Sequence, residues 1–314
     1  MTQARNDQKL EYISCNLCGH NDYKLFIEIN NYRLVKCKQC GLVYLNPRPS
    51  QQQINEEYEV EYHTERLLRG ELKAEEEIEE EINKNTGRVE EIIKEFGNIG
   101  KLLDVGCGAG FFIACLRKYG WDVTGTDISK WASKFAREKL GLNVFTGTVE
   151  ETQFNEQFDV ITMYHILEHL PHPVQSLKRV SEIITDGVLV IKGPNLASFD
   201  RMWHEKNWRG YDLPYHLYHF TPKTYQMILE KAGFFVQKII FQYWNPVTHL
   251  MEMKLGDGIR ADHPACAIEK KFDKNEVHTF SNFSKGLNKA MYIACRLLNL
   301  KGRDLTIYAK KRGC

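Results

Sequence analysis

Two groups of residues in this chain carry chemistry in their spacing. Cys15 and Cys18 form one C-x-x-C turn, and Cys37 and Cys40 form a second one eighteen residues on. Thiolates paired on two tight turns match the spacing of tetrahedral all-cysteine zinc sites, and thiolate–zinc bonds supply folding energy to a unit too small for its own core. Further along, Leu102-Leu103-Asp104-Val105 runs into Gly106, Gly108 and Gly110. Glycines are needed where a strand turns sharply into a helix and a ligand approaches bare backbone. The helix start offers unpaired N–H groups to a polar or anionic ligand group. Asp104 can accept from the loop amides or from a ligand ammonium. Asp127 stands seventeen residues after Gly110, at the end of the next strand, where a carboxylate can accept from the ribose hydroxyls of a bound nucleoside. The spacing Gly106-x-Gly108-x-Gly110 is not the G-x-G-x-x-G of dinucleotide enzymes, which argues against a dehydrogenase.

Histidines supply the remaining reactive groups. His165, His216 and His219 are the candidates for a proton acceptor, since an imidazole with an ordinary pKa near 6.5 suits general-base work. His165 and His169 are four apart and could share a metal on a helix. However, Glu168 precedes the second histidine instead of following the first, and Leu170-Pro171 ends a helix there, so no metal is expected at this pair. A redox role for the paired cysteines would need one C-x-x-C at a strand-to-helix turn in a βαβ pattern, which is absent. The segment from Phe199 to Phe220 is crowded with aromatics and histidines. As a loop following parallel strands, it is expected to form a substrate lid or wall.

The elements that must position these groups follow from periodicity. Residues 12 to 48 read as a knuckle-and-strand unit, broken by Asn46-Pro47-Arg48-Pro49-Ser50. An acidic region with Ile78, Ile82, Val89, Ile92, Ile93 and Phe96 at three- and four-residue intervals predicts helix. From residue 101, strands (102–105, 122–126, 143–145, 158–163, 188–192) alternate with helices (111–119, 129–140, 174–184). That alternation predicts a parallel sheet covered on both faces. A helix at 222–232, a strand at 235–241, a helix at 287–300 and a strand at 304–310 close the chain. The expected division is a zinc-ribbon-like module (1–50), an acidic helical linker (51–97), a nucleotide-type core (98–244) and a C-terminal helix and strand completing the sheet (245–314).

At Asp104-Val105-Gly106-Cys107-Gly108-Ala109-Gly110, Asp127, and Phe158-Asp159-Val160-Ile161 before Tyr164-His165-Ile166-Leu167-Glu168-His169-Leu170, the chain resembles class I S-adenosylmethionine-dependent methyltransferases. The resemblance spans roughly residues 90 to 240. It implies an α/β fold with a doubly wound, mostly parallel seven-stranded sheet whose last two strands are the antiparallel hairpin of 235–241 and 304–310. By motif position, Asp104 and the three glycines would hold the methionine part of the donor. Asp127 would bind ribose, Ile128 would flank adenine, Thr148-Val149-Glu150 would sit near the adenine edge, Tyr164 would join the donor site, and His165 would face the methyl group. The wording Cys40-Gly41-Leu42-Val43-Tyr44-Leu45-Asn46-Pro47-Arg48-Pro49, with Tyr215-His216-Leu217-Tyr218-His219-Phe220-Thr221-Pro222, is similar to a bacterial subgroup that carries a zinc-ribbon-like N-terminus. Such proteins are similar to enzymes that methylate small molecules, sugars or quinone-like phenols.

Composition narrows the partners. Hydrophobic residues at 43% and charged residues at 26% are ordinary for a globular protein, and a net charge of +1 argues against wholesale nucleic-acid binding. The N-terminus has no apolar signal region and no stretch approaches a membrane span, so a reducing cytoplasm is expected. The leading expectation is methylation of a hydroxyl on a small metabolite, sugar or quinone-like phenol, or on a glycan precursor, with S-adenosylmethionine as donor and zinc as a structural ion. Carbon methylation of an activated sugar is the nearest alternative. An RNA methyltransferase gripping its substrate through the zinc module, or a non-catalytic nucleoside-binding scaffold, are the others. Oligomeric state is left open by the sequence.

Overall fold

The computed structural model describes residues 10–50, 53–54, 75–97, 100–242 and 302–312. The helix expected at 287–300 lies outside the described residues.

The N-terminal unit is a small antiparallel sheet built on the cysteine turns. Strands β1 (Leu10–Glu11) and β5 (Arg48–Pro49) pair at its base, while β2 (Tyr23–Ile29), β3 (Tyr32–Cys37) and β4 (Val43–Leu45) form a meander. The described part of the acidic region after it holds two helices, α1 (Glu75–Asn83) and α2 (Thr86–Phe96). The break has a local cause. The Asn85 side chain donates to the Glu81 carbonyl at 3.0 Å and the Thr86 hydroxyl to the Asn83 carbonyl at 2.7 Å, so side chains compete for acceptors at the join.

The core alternates as expected: β6 (Lys101–Val105), α3 (Phe111–Arg117), β7 (Asp122–Asp127), α4 (Lys130–Leu140), β8 (Asn143–Thr146), β9 (Phe158–Tyr164), α5 (Pro173–Ile183) and β10 (Ile184–Pro194). A short helix α6 (Phe199–His204), strand β11 (Tyr218–His219), helix α7 (Pro222–Lys231), and strands β12 (Phe234–Gln242) and β13 (Asp304–Lys311) follow. The large sheet has seven strands in the order β12-β13-β10-β9-β6-β7-β8, with β13 antiparallel to both neighbours. This is the seven-stranded, mostly parallel architecture the resemblance implies.

Period-two alternation assigns the sheet's side chains to two cores. Leu102, Val160, Val188 and Val190 pack with Val89, Ile92, Ile113 and Leu116. Their neighbours Leu103, Ile161, Leu189 and Ile191 pack with Leu177, Val180, Ile228 and Leu229. Strands buried on both faces read as near-continuous apolar runs, which is why they were visible in the sequence. Caps fix the helix starts: the Ser129 hydroxyl accepts from the Ala132 amide at 3.2 Å, and Thr221 and Thr224 form a reciprocal capping box.

The N-terminal sheet is not an appendage. Cys15, Leu34, Val35, Tyr44 and Leu45 belong to the same apolar cluster as Ile161, Leu177 and Ile228. β11 adds to the edge of β4, pairing Tyr218 with Tyr44 and His219 with Val43. The aromatic–histidine segment therefore divides instead of forming one lid. Leu217, Tyr218, His219 and Phe220 are buried in the core, whereas Asp212 and Tyr215 reach the cleft. Strand addition to β4 is what draws the second half inward.

Candidate donor and acceptor site

The parallel strands β6, β7 and β9 end on one edge, and a cleft of about 370 Å³ opens there. Gly106 turns the chain out of β6 with φ +74, and a Cβ at this position would overlap the Cδ1 of Ile166 across the cleft. Only glycine combines this backbone with this approach. The amides of Gly106 and Cys107 donate to the Thr126 carbonyl at 2.8 and 3.0 Å, tying the loop to β7. Gly110 (φ +83) begins α3, where a Cβ would stand 2.7 Å from the Cδ1 of Leu142.

Asp127 closes this loop from the other side. Its Oδ2 accepts from the Gly108 amide at 2.7 Å and its Oδ1 from the Ser129 amide at 2.9 Å. A carboxylate oxygen can accept more than one hydrogen bond, so this group is suited to a ligand hydroxyl. Asp104 is different. It is 5% exposed, accepts the Thr162 hydroxyl at 2.7 Å, and does not line the cleft. Burial pushes its carboxyl up to about 7, only partly opposed by the Thr162 hydrogen bond and the Arg88 charge.

Of the donor-site residues expected from sequence, Gly106, Asp127, Ile128, Thr148, Val149 and Tyr164 come together on the cleft wall. Asp104, Gly108 and Gly110 lie behind it, shaping the loop. Ser129, Glu150 and Ile54 line the same cleft. Ile54 had no local signal, because it reaches the site only by chain return from the N-terminal unit.

His165 follows β9 and lines the cleft, with its amide donating to the Lys192 carbonyl at 2.7 Å. Its φ of 55 is unusual for a non-glycine residue and turns the chain back immediately. That turn brings Glu168 beneath it: His165 Nδ1 lies 3.5 Å from Glu168 Oε1, and the glutamate is fully buried. Burial opposes ionisation of Glu168, but the His165 contact and the surrounding imidazoles outweigh it and hold the carboxyl below its usual range. His216 and His219 do not reach the cleft wall; they are 8% and 1% exposed. Of the three histidines expected to do proton chemistry, the fold leaves only His165 facing the cleft.

The buried imidazoles are fixed by main-chain carbonyls. His169 Nδ1 meets the Tyr215 carbonyl at 3.1 Å, His216 Nδ1 the Gly210 carbonyl at 2.9 Å, and His219 Nε2 the Tyr211 carbonyl at 3.1 Å. A carbonyl only accepts, so each of these ring nitrogens donates and the opposite nitrogen carries the lone pair. Burial pushes both His169 and His219 down to about 3, keeping them neutral.

The four N-terminal cysteines converge. Their sulfur atoms all lie within 4.8 Å of one another, with Cys15–Cys40 and Cys18–Cys37 each at 3.5 Å. Tetrahedral zinc with Zn–S near 2.3 Å places sulfurs about 3.8 Å apart, so the donor set fits that ion. Burial raises the Cys37 thiol, but the Cys40 amide and the Cys18 sulfur overcome it and bring the group down to about 7. The unit is latched to the cleft rim: Asn16 donates to the Pro171 carbonyl at 2.7 Å, and Arg48 donates to the same oxygen at 3.1 Å. Pro171 lines the cleft.

Residues 72–239, more than half of the chain, match the methyltransferase-domain family. The chain is 29% identical over 203 residues to a ubiquinone biosynthesis O-methyltransferase of Nitrosococcus oceani, spanning 60% of this chain and 85% of that protein. It is 26% identical to the mitochondrial ubiquinone biosynthesis O-methyltransferase of Arabidopsis thaliana, over 54% of this chain and 57% of the plant protein. A solved S-adenosylmethionine-dependent methyltransferase from Archaeoglobus fulgidus aligns with 23% identity and a TM-score of 0.48, covering 80% of this chain and 99% of that one. With the glycine loop, Asp127 and His165 gathered on one cleft, the chain belongs to the methyltransferase-domain family and is an S-adenosylmethionine-dependent methyltransferase.

Proposed function

We propose that this enzyme transfers the sulfonium methyl group to a hydroxyl oxygen of a small acceptor, with a quinone-like phenol the acceptor class favoured by the names of its relatives. The observation that carries this reading is a single cleft lined by both Asp127 and His165. Asp127 takes the ribose hydroxyls, Ile128, Thr148 and Val149 flank the adenine, and the bare backbone at Gly106 accommodates the methionine part. The acceptor hydroxyl lies against His165. With Nδ1 directed at Glu168, the Nε2 of His165 is the base.

In the transfer, an oxygen lone pair of the acceptor forms the bond to the methyl carbon. The carbon–sulfur pair returns to sulfur, leaving the thioether product, and the hydroxyl proton passes to His165. Positioning the two reactants contributes on the order of 7–11 kcal/mol in favourable cases, and the base contributes roughly 10²–10⁴-fold. Cys15, Cys18, Cys37 and Cys40 hold a structural zinc, which supplies folding energy to the N-terminal unit and no chemistry to the transfer. Thiolate ligands of this kind fit a reducing cytoplasm. Among the described residues no helix is long and apolar enough to cross a membrane.

The test is calorimetric binding of S-adenosylmethionine and S-adenosylhomocysteine, followed by mass-spectrometric methylation assays on phenols, sugar nucleotides and RNA. Methylation on oxygen of a phenol is the expected outcome. Methylation only on a sugar carbon or on RNA would replace the acceptor assignment.

A further inference from the structure

The proton chemistry of the cleft uses only one of the imidazoles gathered around Glu168. The others form a second convergent donor set, separate from the cysteines. One carboxylate oxygen of Glu168 and one ring nitrogen each of His169 and His216 lie within 4.8 Å of one another. The rings of His169 and His216 stand edge to face with centroids 4.6 Å apart.

Three observations point to a ligand at this cluster. First, among the described residues both Glu168 oxygens are buried without a hydrogen bond of good geometry, His165 Nδ1 standing 3.5 Å from Oε1. Among the described residues, the Nδ1 of His219 and the hydroxyl of Tyr225 also lack hydrogen-bond partners. Buried carboxylates are normally paired with a cation or coordinate a metal. Second, His169 and His216 each donate Nδ1–H to a main-chain carbonyl, at 3.1 and 2.9 Å. That outer hydrogen bond orients metal-binding histidines and directs the Nε2 lone pair to the ion. Third, two imidazoles and one carboxylate are a recognised donor set for divalent first-row metals that keep open positions.

We infer that Glu168, His169 and His216 form a divalent-metal centre beneath the acceptor end of the cleft. At metal–ligand distances of about 2.0–2.2 Å, tetrahedral ligand atoms stand about 3.4 Å apart, so a contraction of at most about 1.4 Å closes the site. His169 is the one of the three ligands that lines the cleft, which directs the open position toward the acceptor. Asp212, also on the cleft wall, places Oδ2 3.8 Å from His216 Nε2 and is within reach as an additional oxygen ligand. An acceptor oxygen bound at the open position would be acidified by the ion, easing transfer of its proton to His165. This last role rests on the methyl-transfer reading; the metal site does not.

The test uses the full chain loaded with zinc at its cysteines. Metal per chain is measured by elemental mass spectrometry, and Co2+ is then titrated in and followed by visible spectroscopy, with no acceptor present. The expected result is one ion beyond the cysteine-bound zinc, its cobalt spectrum lacking thiolate charge-transfer bands. Its affinity should fall roughly 10–100-fold in His216→Gln and in His169→Gln. Circular dichroism and the thermal midpoint of each variant report that it is folded. A metal content that stops at the cysteine-bound ion overturns the proposal, whatever the variants do. Cobalt affinity unchanged in both variants overturns it as well. Because binding is read without acceptor, failure here is distinct from failure of the methyl-transfer reading.

Discussion

His165 Nδ1 stands 3.5 Å from the Oε1 of Glu168, a carboxylate with no solvent exposure, while the histidine's own side chain remains 40% exposed. A charged anchor behind a cleft-facing imidazole fixes its tautomer and stabilises the imidazolium that forms when it takes a proton. Glu168→Gln preserves shape but removes the charge. It should lower kcat on the order of 10²-fold, because the imidazolium formed on proton uptake loses its anion. His165→Ala should lower kcat by roughly 10²–10⁴-fold, with donor affinity unchanged in both variants. A Glu168→Gln enzyme with an unaltered kcat would show that the glutamate does not act through His165.

Asp127 links two amides that the chain brings together only when the glycine loop is folded: Gly108 to Oδ2 and Ser129 to Oδ1. Asp127→Asn keeps one acceptor and turns an NH2 group against the other amide. The loss of a charged, buried acceptor costs about 1–3 kcal/mol, which is roughly 5- to 150-fold in S-adenosylhomocysteine affinity. Calorimetry would settle the point, and a dissociation constant within about twofold of the parent's would remove Asp127 from the donor site.

The extent to which this site could be read from sequence follows the range of the interactions. The glycine loop, Asp127 and the strand ends are local patterns, so the sequence places them on one edge. Leu102, Val160 and Val190 sit in continuous apolar runs, and the parallel sheet is legible for the same reason. Glu168 was visible as a letter three places from His165, but its role depends on the left-handed turn at His165 and on burial by distant segments. The amides of Leu217 and Tyr218 both donate to the Glu168 carbonyl, at 2.9 and 3.1 Å. Those bonds exist only because Tyr218–His219 joins the N-terminal sheet, pairing residues about 175 positions apart. No local periodicity announces a two-residue strand of that kind, so the aromatic segment looked like a lid.

The proposed zinc at the four cysteines should stabilise the N-terminal unit. Cys37→Ser removes one of four converging sulfurs, and zinc bound at the cysteines should fall to a small fraction of the parent's by elemental mass spectrometry. Because the unit supplies Asn16 and Arg48 to the Pro171 carbonyl and Val43 and Tyr44 to the β11 pairing, its loss should reach the cleft. The thermal midpoint should drop, and donor binding should weaken with it. Retention of stoichiometric zinc by Cys37→Ser would show that this thiol is not a ligand.

Asp104 predicts a pH dependence whose sign is unusual for a carboxylate. Its carboxyl titrates at about 7 in the fold, against an ordinary value of 3.8, chiefly because it is buried. The folded state therefore holds this proton more tightly than the unfolded chain. The stability associated with that proton is fully present below the unfolded value, about pH 4, and is lost progressively as pH rises through about 7. Asp104→Asn carries no charge at any pH and keeps an oxygen for the Thr162 hydroxyl. Urea unfolding of the two proteins side by side isolates the effect, because every other titrating group cancels in the difference. Relative to the parent, the asparagine variant should gain stability steadily between about pH 4 and pH 7 and level off above, with a total gain of at most ~4 kcal/mol. A difference that stays flat across that window would mean that Arg88 or another cation already neutralises Asp104 in the fold.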